Sequence, residues 1–157
     1  VKAGRIIGID LGEKHVGVAV SDELGLTAQG LGCLERTSEA RLLADLCGLI
    51  EEQKAVLVVL GFPKNMSGGV GPKAREAMEV AEKLRAASGT EVALWDERLS
   101  TRQAERSMLE GDLTRKKRKK RRDIIAAQLI LQSFLDAQRF SASSVEGVQD
   151  RSEQRRR

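Results

Sequence analysis

Asp10 interrupts the otherwise apolar run Arg5 to Leu11 (RIIGIDL), one residue before that run gives way to Gly12. A carboxylate there can reach solvent beside closely approaching backbone, which fits a metal ligand and equally fits a turn cap. Asp96 and Glu97 close a later run, Glu91 to Trp95. Strand side chains alternate, so only one of the two can share a face with Asp10. Glu97 is the preferred ligand and Asp96 the second choice, with a solvated strand end or a salt bridge to Arg98 as the plainer role. Asp123 lies between a basic run and an apolar helical pattern. There it would gain from the positive end of the helix dipole, either as a cap or as a third ligand.

Three carboxylates drawn from separated segments suit a hard cation, Mg2+ or Mn2+, which prefers oxygen donors and often keeps waters and substrate phosphate in its shell. A pair of ions held by Asp10, Glu97 and Asp123 would activate a water and steady the leaving oxygen in an in-line displacement at phosphorus. Cations stand nearby. Lys14 falls in the turn after Asp10, and Arg115, Lys116, Lys117, Arg118, Lys119 and Lys120 open the unbroken basic run RKKRKKRR that ends at Arg122. Eight cations at the positive end of a helix repel one another, and a polyanion would relieve the repulsion; a solvated basic loop is the simpler alternative. The glycine-rich loop Gly61 to Gly71 offers backbone amides with Lys64 and Asn65, either for a phosphate or as an ordinary connection. It lacks the Gly-Lys-Ser/Thr ending of a P-loop.

The elements that must position these residues follow from pattern. Arg5 to Leu11 and Val16 to Val20 read as strands of a hairpin turning at Gly12-Glu13-Lys14, with a third strand over Leu26 to Leu34. Ser38 caps a helix that carries Leu42, Leu43, Leu46, Leu49 and Ile50 at 3.6-residue spacing and ends before Lys54. Ala55 to Leu60 (AVLVVL) is the continuous apolar run expected of a central parallel strand. Pro72 opens a helix that Gly89 terminates, and Glu91 to Trp95 forms a fifth strand. Ser100 and Gln103 form a capping box for a helix ended by Gly111, and a last helix covers Asp123 to Gln138. This order gives an α/β domain with a mixed five-stranded sheet and flanking helices, a layout compatible with the ribonuclease H-like fold.

The chain has 157 residues, 41% of them hydrophobic, enough for one core and not two. The expected domain is 1–138, followed by a disordered polar tail over 139–157. A net charge of +4 says little, but its concentration in one run suits a nucleic acid. Aromatic residues make up only 3% with no Tyr, which argues for phosphate contacts over base stacking. Cys33 and Cys47 lack C-x-x-C spacing and His15 is the lone histidine, leaving no zinc set. No apolar run is long enough for a bilayer, and the start lacks a secretory pattern, so a cytoplasmic location is expected.

Four motifs in order, GIDLGEKHVGVAVSD (Gly8 to Asp22), GFPKNMSGGVGPKA (Gly61 to Ala74), DERLST (Asp96 to Thr101) and RDIIAAQLILQSFLD (Arg122 to Asp136), resemble the bacterial YqgF family. The family is described as pre-16S ribosomal RNA nucleases and also as Holliday junction resolvases. The resemblance spans Arg5 to Asp136 and implies a ribonuclease H-like fold, a cytoplasmic nuclease and a role at the 5′ end of the small-subunit RNA precursor. By position, the family's acidic site falls on Asp10, Glu97 and Asp123. His15 stands where the family usually has Arg, Phe62 where Leu is usual, and Arg122 where an apolar residue is common; none of these removes an acid. Branched DNA is the alternative substrate, acting through a monomer or, for a resolvase, a homodimer. Two rivals differ in class. GIDLG with GVAV also resembles the first phosphate loop of actin-like ATPases, which need a second domain that this length does not allow. A non-catalytic factor would bind through the basic run and use the acids structurally.

Overall fold

A computed structural model describes residues 4–62, 71–97 and 115–154, with side chains of the last segment described over 117–141. Five strands form one sheet in the order β3-β2-β1-β4-β5. Strands β1 (Arg5–Leu11), β2 (His15–Ser21) and β3 (Ala28–Glu35) make an antiparallel meander. β4 (Ala55–Phe62) and β5 (Glu91–Asp96) add parallel to the other side of β1. The expected mixed sheet is therefore formed; its middle strand is β1, and β4, the run expected to be central, lies beside it as an interior strand.

Helices α1 (Glu39–Gln53) and α2 (Pro72–Ser88) cover one face. The Ser38 side chain caps α1 by accepting from the Arg41 amide, and Lys54 ends it in a left-handed conformation. Pro72 sits in the first turn of α2, where its missing N–H costs nothing, and Gly89 closes the helix at φ 68°. Ile7, Ile9, Val58 and Leu60 of the sheet pack there against Leu42, Leu46, Ile50, Val80 and Leu84. Among the described residues, the opposite face is covered by α3 (Arg115–Gln154), whose Ala127, Ile130, Leu131, Phe134 and Leu135 bury Ile6, Ala19 and Val59. β1 and β4 are thus covered on both faces, which is why their sequences read as continuous apolar runs.

The structure corrects two expectations for this last helix. The basic run lies inside the helix, which begins at Arg115 and not at Asp123, and the helix continues past Gln138 to Gln154 where composition predicts a disordered tail from Arg139. Lys, Arg, Gln and Glu are good helix formers, and extending an existing helix carries no nucleation cost, so the apolar middle supports polar turns at both ends. The third strand also starts at Ala28, not Leu26. Asp22 accepts from the amides of Leu26 (2.7 Å) and Thr27 (3.1 Å) and holds those residues in the turn. The helix expected from Ser100 to Gly111 lies outside the described residues. No described helix is long and apolar enough to cross a membrane.

Candidate active site

One row of residues crosses all five strands. Asp10 pairs with Gly17 on one side and Gly61 on the other; Gly17 pairs with Cys33 and Gly61 with Trp95. Neighbouring strands lie about 4.8 Å apart, and residues directly opposite one another present their side chains to the same face. The Asp10 carboxylate therefore stands centrally, with a glycine to either side.

That face is the one covered by α3. A Cβ on Gly8, two residues before Asp10, would lie 2.6 Å from Leu131 Cβ, so Gly8 and Asp10 both face the helix. A Cβ on Gly17 would overlap the carbonyl oxygen of Asp123. The missing side chain thus lets α3 lie directly on β2 at the register of Asp10, bringing Asp123 to the row. On the other side, a Cβ on Gly61 would lie 3.3 Å from Glu97 Cγ and 2.5 Å from Ile130 Cδ1. Glu97 consequently leans over the second glycine toward the same face.

This settles the orientation of the acid pair. Asp96 pairs with Phe62, whose side chain packs with the α1/α2 core, whereas Trp95 pairs with Gly61 on the α3 face. Asp96 alternates away from Asp10, and Glu97 comes back toward it. The end of β5 is pinned to α3, because Trp95 Nε1 donates to Ser133 Oγ at 3.1 Å and its ring meets Phe134 edge-on with centroids 5.3 Å apart. Asp10, Glu97 and the backbone of Asp123 thus lie on the same face of the sheet, at the level of the Gly17–Asp10–Gly61 row.

The electrostatic setting of Asp123 differs from the one expected at a helix start. It is nine residues into α3, beyond the first turn where the helix dipole acts, so the expected dipole benefit is corrected. Burial is the largest influence and pushes its carboxyl above the usual range, opposed by His15, Lys119 and Arg122. Cys33, at the end of the row, also has its thiol pushed up, first by burial and then by Asp123, with Lys120 opposing and Asp10 contributing. The two acids act on the same thiol, consistent with a shared location.

Among the described residues, no three His, Cys, Asp or Glu side chains already stand close enough to hold an ion by themselves. The donor set still fits a hard cation. All three donors are carboxylates on one face, and magnesium usually takes only one or two carboxylates, with waters and phosphate completing its shell.

The basic residues are divided. Lys14, with Gly12, Glu13, His15, Lys119 and Asp123, lines a cleft of about 390 Å³ beside the acid row. Lys117, Arg118, Lys119 and Lys120 are exposed on the first turns of α3, just before Asp123. Arg115 and Lys116 belong to the same helix, but their side chains lie outside the described residues, as do Lys64 and Asn65 of the glycine-rich loop. Arg36 is a residue that sequence reasoning missed. Its Nη1 donates to Gly12 O at 3.0 Å, its Nη2 pairs with Glu76 on α2, and its amide donates to Lys14 O at 2.8 Å. Those partners are far away in sequence and leave no local signal. The close approaches at Gly17 and Gly61 did have one, since a glycine inside a strand marks a bulge or a backbone contact.

Residues 4–137 match the family described as "RuvX: Holliday junction resolvase". A Myxococcus xanthus (strain DK1622) protein is 50% identical over 135 residues, covering 86% of this chain and 89% of the relative. One from Clostridioides difficile (strain 630) is 47% identical over 133 residues, covering 85% and 94%. Both bear the name "Putative pre-16S rRNA nuclease". Among solved structures, Thermus thermophilus RuvC aligns with a TM-score of 0.57 at 13% identity, over 85% of this chain and 95% of that one. The Fowlpox virus resolvase, solved in complex with its substrate Holliday junction DNA, aligns with a TM-score of 0.55 at 14% identity, over 85% and 97%. These structural likenesses establish the ribonuclease H-like fold.

Proposed function

The chain belongs to the RuvX family, the YqgF family of its motifs, and from that premise we propose that it is a metal-dependent nuclease whose active site is Asp10, Glu97 and Asp123. Its proposed substrate is the ribosomal RNA precursor, cut at the 5′ end of the small-subunit RNA in the cytoplasm. The observation that carries the reading is the glycine on each side of Asp10: one admits the backbone of Asp123 and the other the side chain of Glu97.

Asp10 sits on a central strand buried between two helical layers, so its position is fixed before substrate arrives. Glu97 and Asp123 approach from either side and would share the cation with it. Asp10, Glu97 and Asp123 would hold divalent ions, magnesium or manganese and two of them in this proposal, which would supply a more acidic water and offset charge developing on the phosphate oxygens. Burial of Asp123 disfavours its ionised form in the free protein, and a bound cation would favour it. Lys14 and the exposed lysines and arginines of α3 bind the backbone on either side of the cut through phosphate contacts, which position the strand without reading its sequence.

Four-way DNA junctions are the second reading, favoured by the description of the matching family. One preparation of the protein, assayed with magnesium on a precursor RNA carrying the 5′ extension and on a four-way junction, separates the two. The proposal expects RNA cleavage that stops with EDTA and with Asp10→Asn. Preferential junction cleavage would transfer the site to the second reading. Binding of either nucleic acid with no metal-dependent cleavage would reject both in favour of a non-catalytic factor.

A further inference from the structure

The cleft beside Asp123 contains more nitrogen chemistry than the acid row uses. It is about 390 Å³ in volume and is walled on one side by the β1–β2 turn, Gly12 to His15, and on the other by Lys119 and Asp123 of α3. Resting on the nuclease reading, which commits Asp123 to the cation, the cleft keeps Lys14, His15 and Lys119 against the single acid Glu13. We propose that it is a discrete phosphate subsite, which holds a phosphodiester neighbouring the one being cut and takes one contact each from Lys14, Lys119 and His15.

Two features support a built site over a chance grouping of charges. First, the turn is locked. Gly12 donates to His15 O at 3.0 Å, and Arg36 ties both Gly12 O and Lys14 O to the end of β3 while pairing with Glu76 on α2. A turn fixed from three elements presents Lys14 and His15 with little ordering left to do on binding. Second, His15 Nδ1 is buried and has no hydrogen-bond partner among the described residues. With Nδ1 enclosed by protein, Nε2 is the ring nitrogen left to donate to an anion in the cleft that His15 lines. Lys119 is one helical turn before Asp123, so α3 carries the subsite cation and the site acid on the same side.

The imidazole donor makes a specific test. Gln places an amide nitrogen near the Nε2 position and Asn places one near Nδ1, so the two replacements should part company. Equilibrium binding of a fluorescent precursor-RNA hairpin is measured by anisotropy in EDTA, without turnover, for His15→Gln, His15→Asn, Lys14→Gln, Lys119→Gln and the Lys14/Lys119 double variant. His15→Gln is expected to bind as wild type does. His15→Asn and each Lys variant should weaken binding about tenfold or more, the range for hydrogen bonds to a charged group. The double variant should lose much less than the product of the single losses, because both lysines serve one phosphate. Equal binding by His15→Gln and His15→Asn, or fully multiplicative lysine losses, would overturn the subsite. Thermal melts identify any variant that fails to fold, and His15→Gln, the milder change, keeps the comparison with wild type. Persistence of cleavage in Asp10→Asn would instead defeat the nuclease site, which this metal-free measurement does not touch.

Discussion

Gly17 and the carbonyl of Asp123 meet with no room for a methyl group between them, so the position of an acid on α3 is set by the lack of a side chain on β2. Gly17→Ala must push the helix off the sheet at the register of Asp10. Overpacking of this kind costs about 1–3 kcal/mol. Gly17→Ala is therefore expected to show a lower urea midpoint, together with a severe loss of kcat under conditions where the variant is fully folded. A folded Gly17→Ala with wild-type kcat would separate the glycine from the placement of Asp123.

Burial of Asp123 carries a stability consequence with a definite sign. Its folded-state pKa is raised above the unfolded value, so the fold binds the proton more tightly than the unfolded chain does. Its destabilising effect is therefore fully present above the folded pKa and disappears as pH falls through the unfolded value near 3.8. In EDTA, Asp123→Asn should melt above wild type at neutral pH, with the difference shrinking toward pH 4. A lower Tm for Asp123→Asn at neutral pH would show that the carboxylate is structurally favoured, as a cap or salt bridge would be. Added magnesium should raise the Tm of wild type more than that of the variant.

Gln132 ties α3 to the beginning of β3. It accepts from the Ala28 amide at 2.9 Å and donates to Leu26 O at 3.1 Å, while the neighbouring Gln128 donates to Ala28 O at 3.1 Å. Gln132→Ala leaves a part-buried amide without its acceptor, at a cost of about 1–2 kcal/mol. Urea unfolding should show a lower midpoint with an unchanged m-value, and kcat should hold, since this contact is remote from the acid row. An unchanged midpoint would mean that water replaces the glutamine fully.

The cations at the start of α3 should act through phosphate charge alone. Replacing Lys117 and Lys120 with Gln is expected to weaken RNA binding and to reduce the slope of log affinity against log salt by roughly 0.7–0.9 for each phosphate left without its cation. Sequence preference should stay as it was. A salt slope equal to that of wild type would remove these residues from the interface.

Much of this arrangement is readable from local chemistry. Ser38, Pro72 and Gly89 mark helix ends through capping and backbone conformation, and each does so in the structure. Asp10 stands out because an acid in an apolar strand needs a reason. What local pattern does not supply is the partner across space. Alternation separates Glu97 from Asp96, but the approach of Glu97 to the acid row depends on the empty place at Gly61, and Arg36 finds Gly12 and Glu76 at separations of 24 and 40 residues. Pattern misplaces the start of α3 because repulsion among eight cations argues against a helix there. In the structure, the helix that packs its apolar segment on the sheet is continuous back through them to Arg115, as extending an existing helix carries no nucleation cost.

Manganese binding, followed by electron paramagnetic resonance on wild type and four single variants, tests the shared site most directly. Asp10→Asn, Glu97→Gln and Asp123→Asn should each weaken binding by more than about tenfold, while Asp96→Asn, altered on the other face of β5, should bind like wild type. Wild-type affinity in Glu97→Gln together with a loss in Asp96→Asn, or indifference to all three changes, would contradict the convergence of these acids on one ion.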